Sequence, residues 1–178
     1  LEETVNAIEK SGIAVDRTAR PNIDLAEATE VGGALVGAAT SWVRENSISH
    51  KQWLLLDQRR QHMRRQWENF FDQFDVILMP VAFVPPFDHQ HRGQFENRTL
   101  TCNNTSQPYS KIIGWTVPVG MVYLPSTVPP VGLSSGGLPI GMQVVGAHGA
   151  DLTTIRMAGH ISALCGGYQP PPIAFSLD

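Results

Sequence analysis

The sequence predicts an α/β fold in which helices flank a mixed β-sheet. Helix-like and strand-like stretches alternate along the chain, as is typical of layered α/β domains. The stretch 124–146, LPSTVPPVGLSSGGLPIGMQVVG, has two apolar runs around a Ser-Ser-Gly-Gly tetrapeptide, which predicts a β-hairpin. We expect the rest of the chain to be organised around this hairpin, which adds antiparallel pairing to the sheet.

Length and composition predict one domain over residues 1–178. The chain has 178 residues, and its 42% hydrophobic content is sufficient for one core. A net charge of -3 argues against nucleic acid as a partner, and no run reaches the roughly 20 apolar residues of a membrane span. Only two cysteines, Cys102 and Cys165, occur, which favours reduced thiols and a cytoplasmic location.

The first fifteen residues predict a helix followed by a short strand. Apolar side chains recur at helical spacing at Leu1, Val5 and Ile8. Gly12 then ends the helix, because glycine accepts the left-handed conformation of a helix terminus. The apolar run 13–15 is expected to form the strand.

A second helix is predicted from Asp24 to about residue 45. Asp24 with Glu27 three residues later forms a capping-box pattern. Three glycines inside the helix, Gly32, Gly33 and Gly37, predict a face pressed against another element or, alternatively, a kink. The predicted inner stripe consists of Leu25, Ala28, Gly32, Leu35, Ala39 and Trp42.

A third helix of about seven turns is predicted after a second capping pattern, Ser49 with Gln52. Its apolar stripe consists of Trp53, Leu56, Met63, Trp67, Phe70 and Phe74. Several arginines on its polar side resemble a nucleic-acid patch. Because no stacking aromatics lie between them, they indicate a solvated face in which Arg64 pairs with Glu68.

The middle of the chain predicts a buried strand and then a long loop. Residues 76–79 are a short, continuous apolar run, which is typical of a strand buried on both faces. Residues 81–108 show no sustained period, and a connection of this length is more often functional than idle. Residues 109–121 stay ambiguous because Pro118 blocks a long helix.

Within the predicted hairpin the two runs differ. Prolines in the first run lack the N–H of a central ladder and predict an irregular, bulged or edge strand. In the second run bulky residues such as Met142 and Val144 alternate with a flatter face that includes Gly141 and Gln143. The flatter face predicts close backbone approach.

Asp151 is predicted to cap the last helix, which ends at Gly166-Gly167. Its predicted inner stripe consists of Leu152, Ile155, Ala158, Ile161 and Leu164. Residues 168–178 contain three consecutive prolines and are expected to be an extended tail, pinned by Phe175, or disordered.

Several motifs occur in an order that resembles the C-terminal region of the amidase signature family. They are DVILMP at 75–80, LPSTVP at 124–129, GLPIGMQVVG at 137–146 and the helix that starts at Asp151. The resemblance covers essentially the whole chain but only the last part of the family's length. It implies the C-terminal part of the amidase signature fold, and a parent enzyme that is a serine hydrolase of carbon–nitrogen amide bonds.

The resemblance also implies where the chemistry resides. The family uses a serine nucleophile, a second serine in a cis peptide and a lysine, and all three belong to its N-terminal part. Ser134-Ser135 resembles the nucleophile loop, but Leu133 and Leu138 stand where that loop has Gly and Ser. A hairpin turn is therefore predicted here. No catalytic residue is expected in this chain, which alone should be inactive.

Apolar and aromatic residues around the long loop are the candidates for lining a substrate pocket, and packing beneath the loop is an equally good interpretation. These candidates are Phe83, Val84, Phe87, Tyr109 and Trp115. Gln143 is a further polar candidate, although its place in a strand favours bonds to neighbouring backbone.

Metal binding is a weaker interpretation. Asp88, His89 and His91 offer three possible ligands within four residues. A metal site needs ligands on separate rigid elements, so a solvated loop is favoured and no metal or other cofactor is expected.

The expected partners are the N-terminal part of the parent amidase and, in that parent, a small-molecule amide substrate. Sheet faces that would meet the missing part predict self-association or an exposed apolar patch. The alternative function is a non-catalytic binding or interaction module derived from the family. A metallohydrolase using His89 and His91 is a third, more distant hypothesis.

Overall fold

The computed structural model describes residues 1–44 and 47–170. Its helices are α1 Glu2–Lys10, α2 Leu25–Ala39, α3 Ser41–Arg44, α4 His50–Phe71, α5 Val117–Gly120 and α6 Asp151–Leu164. Its strands are β1 Val76–Pro80, β2 Thr99–Cys102, β3 Thr105–Pro108, β4 Ser126–Thr127, β5 Pro130–Leu133 and β6 Pro139–Gly146. Two 3₁₀ turns lie at Phe95–Asn97 and Tyr109–Ile113. The predicted α/β architecture is confirmed.

The main sheet is built around β6. β1 pairs with one edge of β6 and β4 with the other, and β5 pairs with the first part of β6 beside β4. All of these ladders are antiparallel. The register places Ile77 opposite Val145 and Thr127 opposite Val144. The predicted irregular first run is confirmed, because it divides into β4 and β5 and shows a register shift between Pro130 and Gly132.

Helices cover both faces of this sheet. On one face Val144 packs with Ile8 of α1 and with Ala158 and Ile161 of α6. On the other face Val145 belongs to a larger core formed with α2, α4 and α5. Both faces of β6 are therefore buried. This corrects the interpretation of one bulky and one flat face.

Close backbone approach does occur on β6. A Cβ added at Gly141 would lie 2.6 Å from Val128 Cγ1, and one added at Gly146 would lie 2.8 Å from Thr154 Cγ2. Neighbouring segments occupy the volume that larger residues would need here.

Both long helices begin at their predicted caps. The Asp24 carboxylate accepts from the backbone N–H groups of Ala26 and Glu27, and the capping box between Ser49 and Gln52 is complete. Glu27 does not close a box of its own. Its carboxylate instead accepts from Arg59 Nε at 3.0 Å, which ties α2 to α4.

The polar side of α4 differs from its prediction. In the described residues Arg64 forms no ion pair with Glu68. Its guanidinium lies 5.5 Å from the centroid of the Tyr123 ring, and that of Arg60 lies 4.9 Å from the same centroid. The arginine side chains are thus held within the domain by aromatic and carboxylate partners, as Arg60 is by Asp57.

Three predicted boundaries or stripes are wrong. Residues 13–15 form no strand, because no neighbouring strand pairs with them within the described structure. Trp42 is 85% exposed, since α2 ends at Ala39 and a new short helix begins beyond it. The buried face of α6 is Thr154, Ala158 and Ile161, which leaves Leu152, Ile155 and Leu164 exposed. Ala150, not Asp151, caps this helix.

The loop predicted over residues 81–108 is also partly wrong. Its second half contains the hairpin β2–β3, whose turn residues Asn103 and Asn104 have φ values of 49° and 60°. Consecutive residues with positive φ are typical of the tight turns that join antiparallel strands, and asparagine tolerates them well. The Asn103-Asn104 pair therefore indicates this hairpin in the sequence itself. The ambiguous segment 109–121 forms the second 3₁₀ turn and α5.

Of the remaining predictions, some are confirmed and others fall on residues that the structure does not describe. The Gly12 and Gly166-Gly167 helix ends are confirmed by φ values of 93°, 88° and 73°. Residues 45–46 and 171–178, which include the end predicted for the second helix and most of the tail, lie outside the description. No described helix is both long and apolar enough to span a bilayer.

We predict opposite effects for alanine at two adjacent glycines of α2. A Cβ at Gly32 would lie 2.4 Å from Val117 Cγ1 of α5, whereas a Cβ at Gly33 meets nothing within 4 Å. Gly32→Ala should lower the free energy of unfolding by about 1–3 kcal/mol through overpacking. Gly33→Ala should raise it by about 0.5–1 kcal/mol through helix propensity. Urea unfolding of both variants measures the difference, and equal effects would contradict the close contact between α2 and α5.

Candidate functional site

A cavity of about 710 Å³ lies beside β1. Every residue of β1 lines it, and so do residues 13–17 of the segment that follows α1. Since β6 occupies one edge of β1 and contributes nothing to the lining, the cavity lies along the other edge. The structure thus places this concave site at the end of the sheet.

Both helix layers contribute walls to this cavity, which we call the edge cavity. One layer supplies Val5 and Ile8 of α1 with Met157 of α6. The other layer supplies the aromatic side chains of Trp67, Phe70, Phe74 and Trp115. Because helices lie on both sides, the edge cavity continues the sheet layer between them.

One buried donor lines the edge cavity. Trp67 is 1% exposed, and its indole N–H has no hydrogen-bond partner in the structure. An unsatisfied buried donor costs free energy, which an acceptor entering the cavity would recover if it reached the indole.

Two charged residues that line the edge cavity, Asp16 and Arg17, are bound by neighbouring groups of the chain. The Asp16 carboxylate accepts from the Thr18 hydroxyl and from the N–H groups of Thr18 and Ala19, which lowers the pKa of Asp16. The Arg17 guanidinium binds the carboxylates of Glu2 and Glu9 at 2.9 and 2.7 Å. These bonds lower the pKa of Glu9 and raise the pKa of Arg17. Asp16, Glu9 and Arg17 therefore remain charged through the neutral range.

The five predicted pocket residues do not share one cavity. Trp115 lines the edge cavity, whereas Val84 and Phe87 line a second cavity of about 360 Å³ against β2. The Tyr109 ring packs edge-on against Phe87 at 5.9 Å between centroids. Phe83 lines neither cavity, and its carbonyl oxygen accepts from Cys102 Sγ at 3.4 Å. Their role as substrate-binding residues stays a prediction.

The sequence interpretation missed Phe95 and residues 13–17. The Phe95 ring packs against Tyr109 at 5.4 Å and joins the aromatic group beside the smaller cavity. A bulky aromatic residue within a polar stretch was the available signal. Residues 13–15 are predicted only as a strand and residues 16–17 carry no prediction, because periodicity gives no sign of a cavity wall.

Gln143 connects three segments at the C-terminal end of β1. It is 3% exposed, and its Nε2 donates to the carbonyl oxygens of Pro80 at 2.7 Å and Trp115 at 3.2 Å. Its Oε1 accepts from Ser126 Oγ at 3.2 Å. The predicted bonds to backbone are confirmed. Gln143 thus fixes Trp115, a wall residue of the edge cavity, relative to β1.

The two glycine-flanked serines lie on the predicted hairpin turn. Ser134 O accepts from Gly137 N–H at 2.9 Å, and Ser134 Oγ accepts from Leu138 N–H at 3.1 Å. Ser135 is exposed. All three lysines of the chain, Lys10, Lys51 and Lys111, are also exposed. This arrangement places no buried lysine amine beside either hydroxyl.

The histidines of the long loop come together only as a pair. The rings of His89 and His91 are 5.2 Å apart between centroids. Among residues 1–44 and 47–170, no three histidine, cysteine, aspartate or glutamate side chains are grouped as metal ligands would be. Cys102 and Cys165 are both free thiols.

Comparison with known families identifies the chain. The family model described as Amidase matches residues 3–155. The chain belongs to the amidase family. The predicted resemblance to amidase signature enzymes is thereby confirmed.

Curated members of the family are longer than this chain. It is 28% identical to a fatty acid amide hydrolase of Medicago truncatula over 122 residues, covering 65% of this chain and 18% of that protein. It is 35% identical to a glutamyl-tRNA(Gln) amidotransferase subunit of Bartonella bacilliformis over 116 residues, covering 62% and 22% of the two chains. The matched part of the chain therefore covers about a fifth of the length of these relatives.

Solved structures show the same fold. The corresponding glutamyl-tRNA(Gln) amidotransferase subunit of Thermotoga maritima matches with a TM-score of 0.63 and 20% identity. The match covers 88% of this chain and 36% of that one. The arrangement of β6 and its flanking helices is thus that of an amidase signature fold.

We predict that Gln143→Leu strongly destabilises the domain. It leaves the half-buried carbonyl oxygens of Pro80 and Trp115 without the Gln143 donor, and each unsatisfied group costs roughly 1–3 kcal/mol, so a loss of about 2–4 kcal/mol is expected. Ser126→Ala serves as the comparison, because it leaves one acceptor, Gln143 Oε1, without its donor whereas Gln143→Leu leaves two, and it should therefore cost about half as much. Urea unfolding compares the two variants. Equal losses would show that the amide donor does not matter.

Proposed function

We propose that this chain is the C-terminal domain of an amidase signature serine hydrolase that acts on carbon–nitrogen amide bonds. In this proposal the chain alone is inactive. It supplies part of the sheet and part of the substrate-pocket wall, and another part of the parent supplies the reactive groups. The observation that carries the proposal is the family match over residues 3–155 of a chain whose lysines are all exposed.

The chemistry of acyl transfer supports the proposed inactivity. A serine hydroxyl becomes a nucleophile only when a base within hydrogen-bond reach takes its proton. Ser134 Oγ accepts from a backbone N–H, and Ser135 lies on an exposed turn. Neither has a lysine partner among the described hydrogen bonds.

The proposed contribution to substrate binding is a wall of apolar surface for a small-molecule amide. Trp115 represents this wall at the edge cavity, and Val84 and Phe87 represent it at the smaller cavity. Tyr109 packs against Phe87, and in this proposal it and Phe83 contribute from outside the two cavity linings. Two free thiols are consistent with the cytoplasmic location that we propose for the parent.

We predict that a fluorophosphonate probe does not label this polypeptide stoichiometrically. The reagent phosphonylates activated serines, and neither Ser134 nor Ser135 has a base beside it. Gel fluorescence and intact mass should show the same background for the wild-type chain, Ser134→Ala and Ser135→Ala.

Stoichiometric labelling that is lost in either alanine variant would overturn the proposed inactivity. The coding sequence upstream of Leu1 tests the parent directly. A lysine-bearing strand followed by a loop rich in glycine and serine is expected there. A start codon adjacent to Leu1 would instead favour the non-catalytic module.

We also propose that the isolated chain associates with itself or exposes apolar surface in solution. Large apolar side chains at the ends of α2, α3 and α4 are exposed, namely Val36, Trp42, Leu54 and Leu55. A contiguous patch of such side chains would be unusual on a monomeric protein and typical of an interface.

Analytical ultracentrifugation together with an apolar dye tests this prediction. We expect either a sedimentation coefficient that rises with protein concentration or dye fluorescence well above that of a folded monomer. The double variant Trp42→Gln/Leu55→Gln should reduce whichever signal is present, while Gly33→Ala should not. A monomer without dye binding would contradict the prediction.

A further inference from the structure

We propose that Arg60 and Arg64 of α4, together with the Tyr123 ring, form a binding site for a small tetrahedral oxyanion of the phosphate or sulfate class. The two cavities described above are lined by other residues. The oxyanion site therefore goes beyond the proposed function and does not rest on it. We call these three residues the arginine–tyrosine cluster.

Two positive charges lie beside one aromatic ring in this cluster. The guanidinium carbon of Arg60 lies 4.9 Å from the centroid of the Tyr123 ring, and that of Arg64 lies 5.5 Å from it. The two arginines are four residues apart on α4, which places them on the same face of the helix. Like charges at this spacing repel each other, and the ring's negative face offsets part of that repulsion. A bound anion would offset the remainder.

The carboxylates near the cluster do not balance its charge. Asp57 pairs with Arg60, and in the ion pairs of residues 1–44 and 47–170 no carboxylate pairs with Arg64. Two guanidinium groups thus share one described carboxylate, which leaves a net positive charge. An anion from solution is the complement of that charge.

The hydrogen-bond donors of the cluster are also incompletely used. The Arg60 side chain is 14% exposed, and its Nε is buried without a partner in the part of the chain that the structure describes. The other hydrogen bonds from arginines of α4 come from Arg59 and go to α2. Partly desolvated charged donors without acceptors are costly, and an oxyanion supplies several acceptor oxygens at once.

The backbone of Tyr123 indicates that its ring has a use. Its φ of 64° lies in the left-handed region, where glycine is free of strain and a bulky side chain is not. The Tyr123 N–H donates to Gly120 O at 3.1 Å, and the Tyr123 carbonyl accepts from His148 Nδ1 at 2.9 Å. These bonds hold the strained residue on both sides. Since glycine would meet the same backbone requirement at lower cost, the ring beside the two guanidinium groups is what tyrosine contributes.

The arrangement of the donors favours a tetrahedral anion over a carboxylate. One guanidinium binds the two coplanar oxygens of a carboxylate with a single planar fork. Two separate guanidinium groups need an acceptor whose oxygens point in several directions, as those of phosphate and sulfate do. Tyr123 is 49% exposed, so a small ion reaches the cluster from solvent.

NMR of the arginine Nε–H groups in the 178-residue chain tests the site. The probe is inorganic phosphate near neutral pH, with sodium chloride adjusted to keep the ionic strength constant. We expect saturable shifts of the Arg60 and Arg64 signals, while the Arg65 signal stays unchanged. Acetate should bind at least about tenfold more weakly, because it can satisfy one guanidinium but not both. Methyl phosphate, titrated in parallel, distinguishes a phosphoryl group on a larger molecule, which should bind equally well, from the free ion, for which methylation should abolish binding.

Three variants sharpen the test. Arg64→Gln should weaken phosphate binding at least about tenfold, because it removes a charge-assisted bond. Arg65→Gln is the matched control. It removes the same charge from the next, exposed position and should change the affinity less than about twofold, since salt screens exposed charges. Tyr123→Gly fits the backbone conformation, keeps the fold and should weaken binding at least about threefold through loss of the ring.

Three results would overturn the site. One is a set of Arg60 and Arg64 shifts that grow linearly with phosphate and never saturate. Another is an equal loss of affinity in Arg64→Gln and Arg65→Gln, which would indicate general charge attraction. The third is unchanged affinity in Tyr123→Gly, which would exclude the ring from the site. If a variant fails to fold, the titration of the wild-type chain still decides.

Discussion

The fold depends on the burial of β6 between two helix layers. Val144 and Val145 face opposite layers, and neither has any solvent exposure. A buried strand must also pair its backbone groups along both edges, because an unpaired polar group in an apolar interior costs about as much as a lost hydrogen bond. β1 on one side and β4 with β5 on the other meet this requirement.

The same need to pair backbone groups along both edges applies to β1. This strand lies between the same two helix layers, but one of its edges opens into an apolar cavity. Open edges within a sheet are sites where further strands add. The domain is therefore well packed at its centre and open at one end of its sheet. That asymmetry agrees with a chain whose matched part covers about a fifth of the length of its relatives.

Gln143 shows how a polar residue can be accommodated in such a core. It lies on β6, beside Val144, where a charged or unpaired side chain would be costly. Its amide instead satisfies two carbonyl oxygens at points where regular pairing ends, after β1 at Pro80 and in the turn at Trp115. The position of the cavity wall thus depends on a bond that originates in the centre of the sheet.

Local signals in the sequence alone determined the caps at Asp24 and Ser49, the hairpin turn at Ser134 and the motif order of the amidase family. Caps and turns depend on backbone groups two to four residues away, so nearby residues specify them. Only the tertiary structure decided what depends on distant partners. Residues 13–15 have the composition of a strand, yet a strand exists only where another strand pairs with it. The exposure of Trp42 likewise depends on which elements pack nearby, and the edge cavity is formed by segments that no sequence spacing relates.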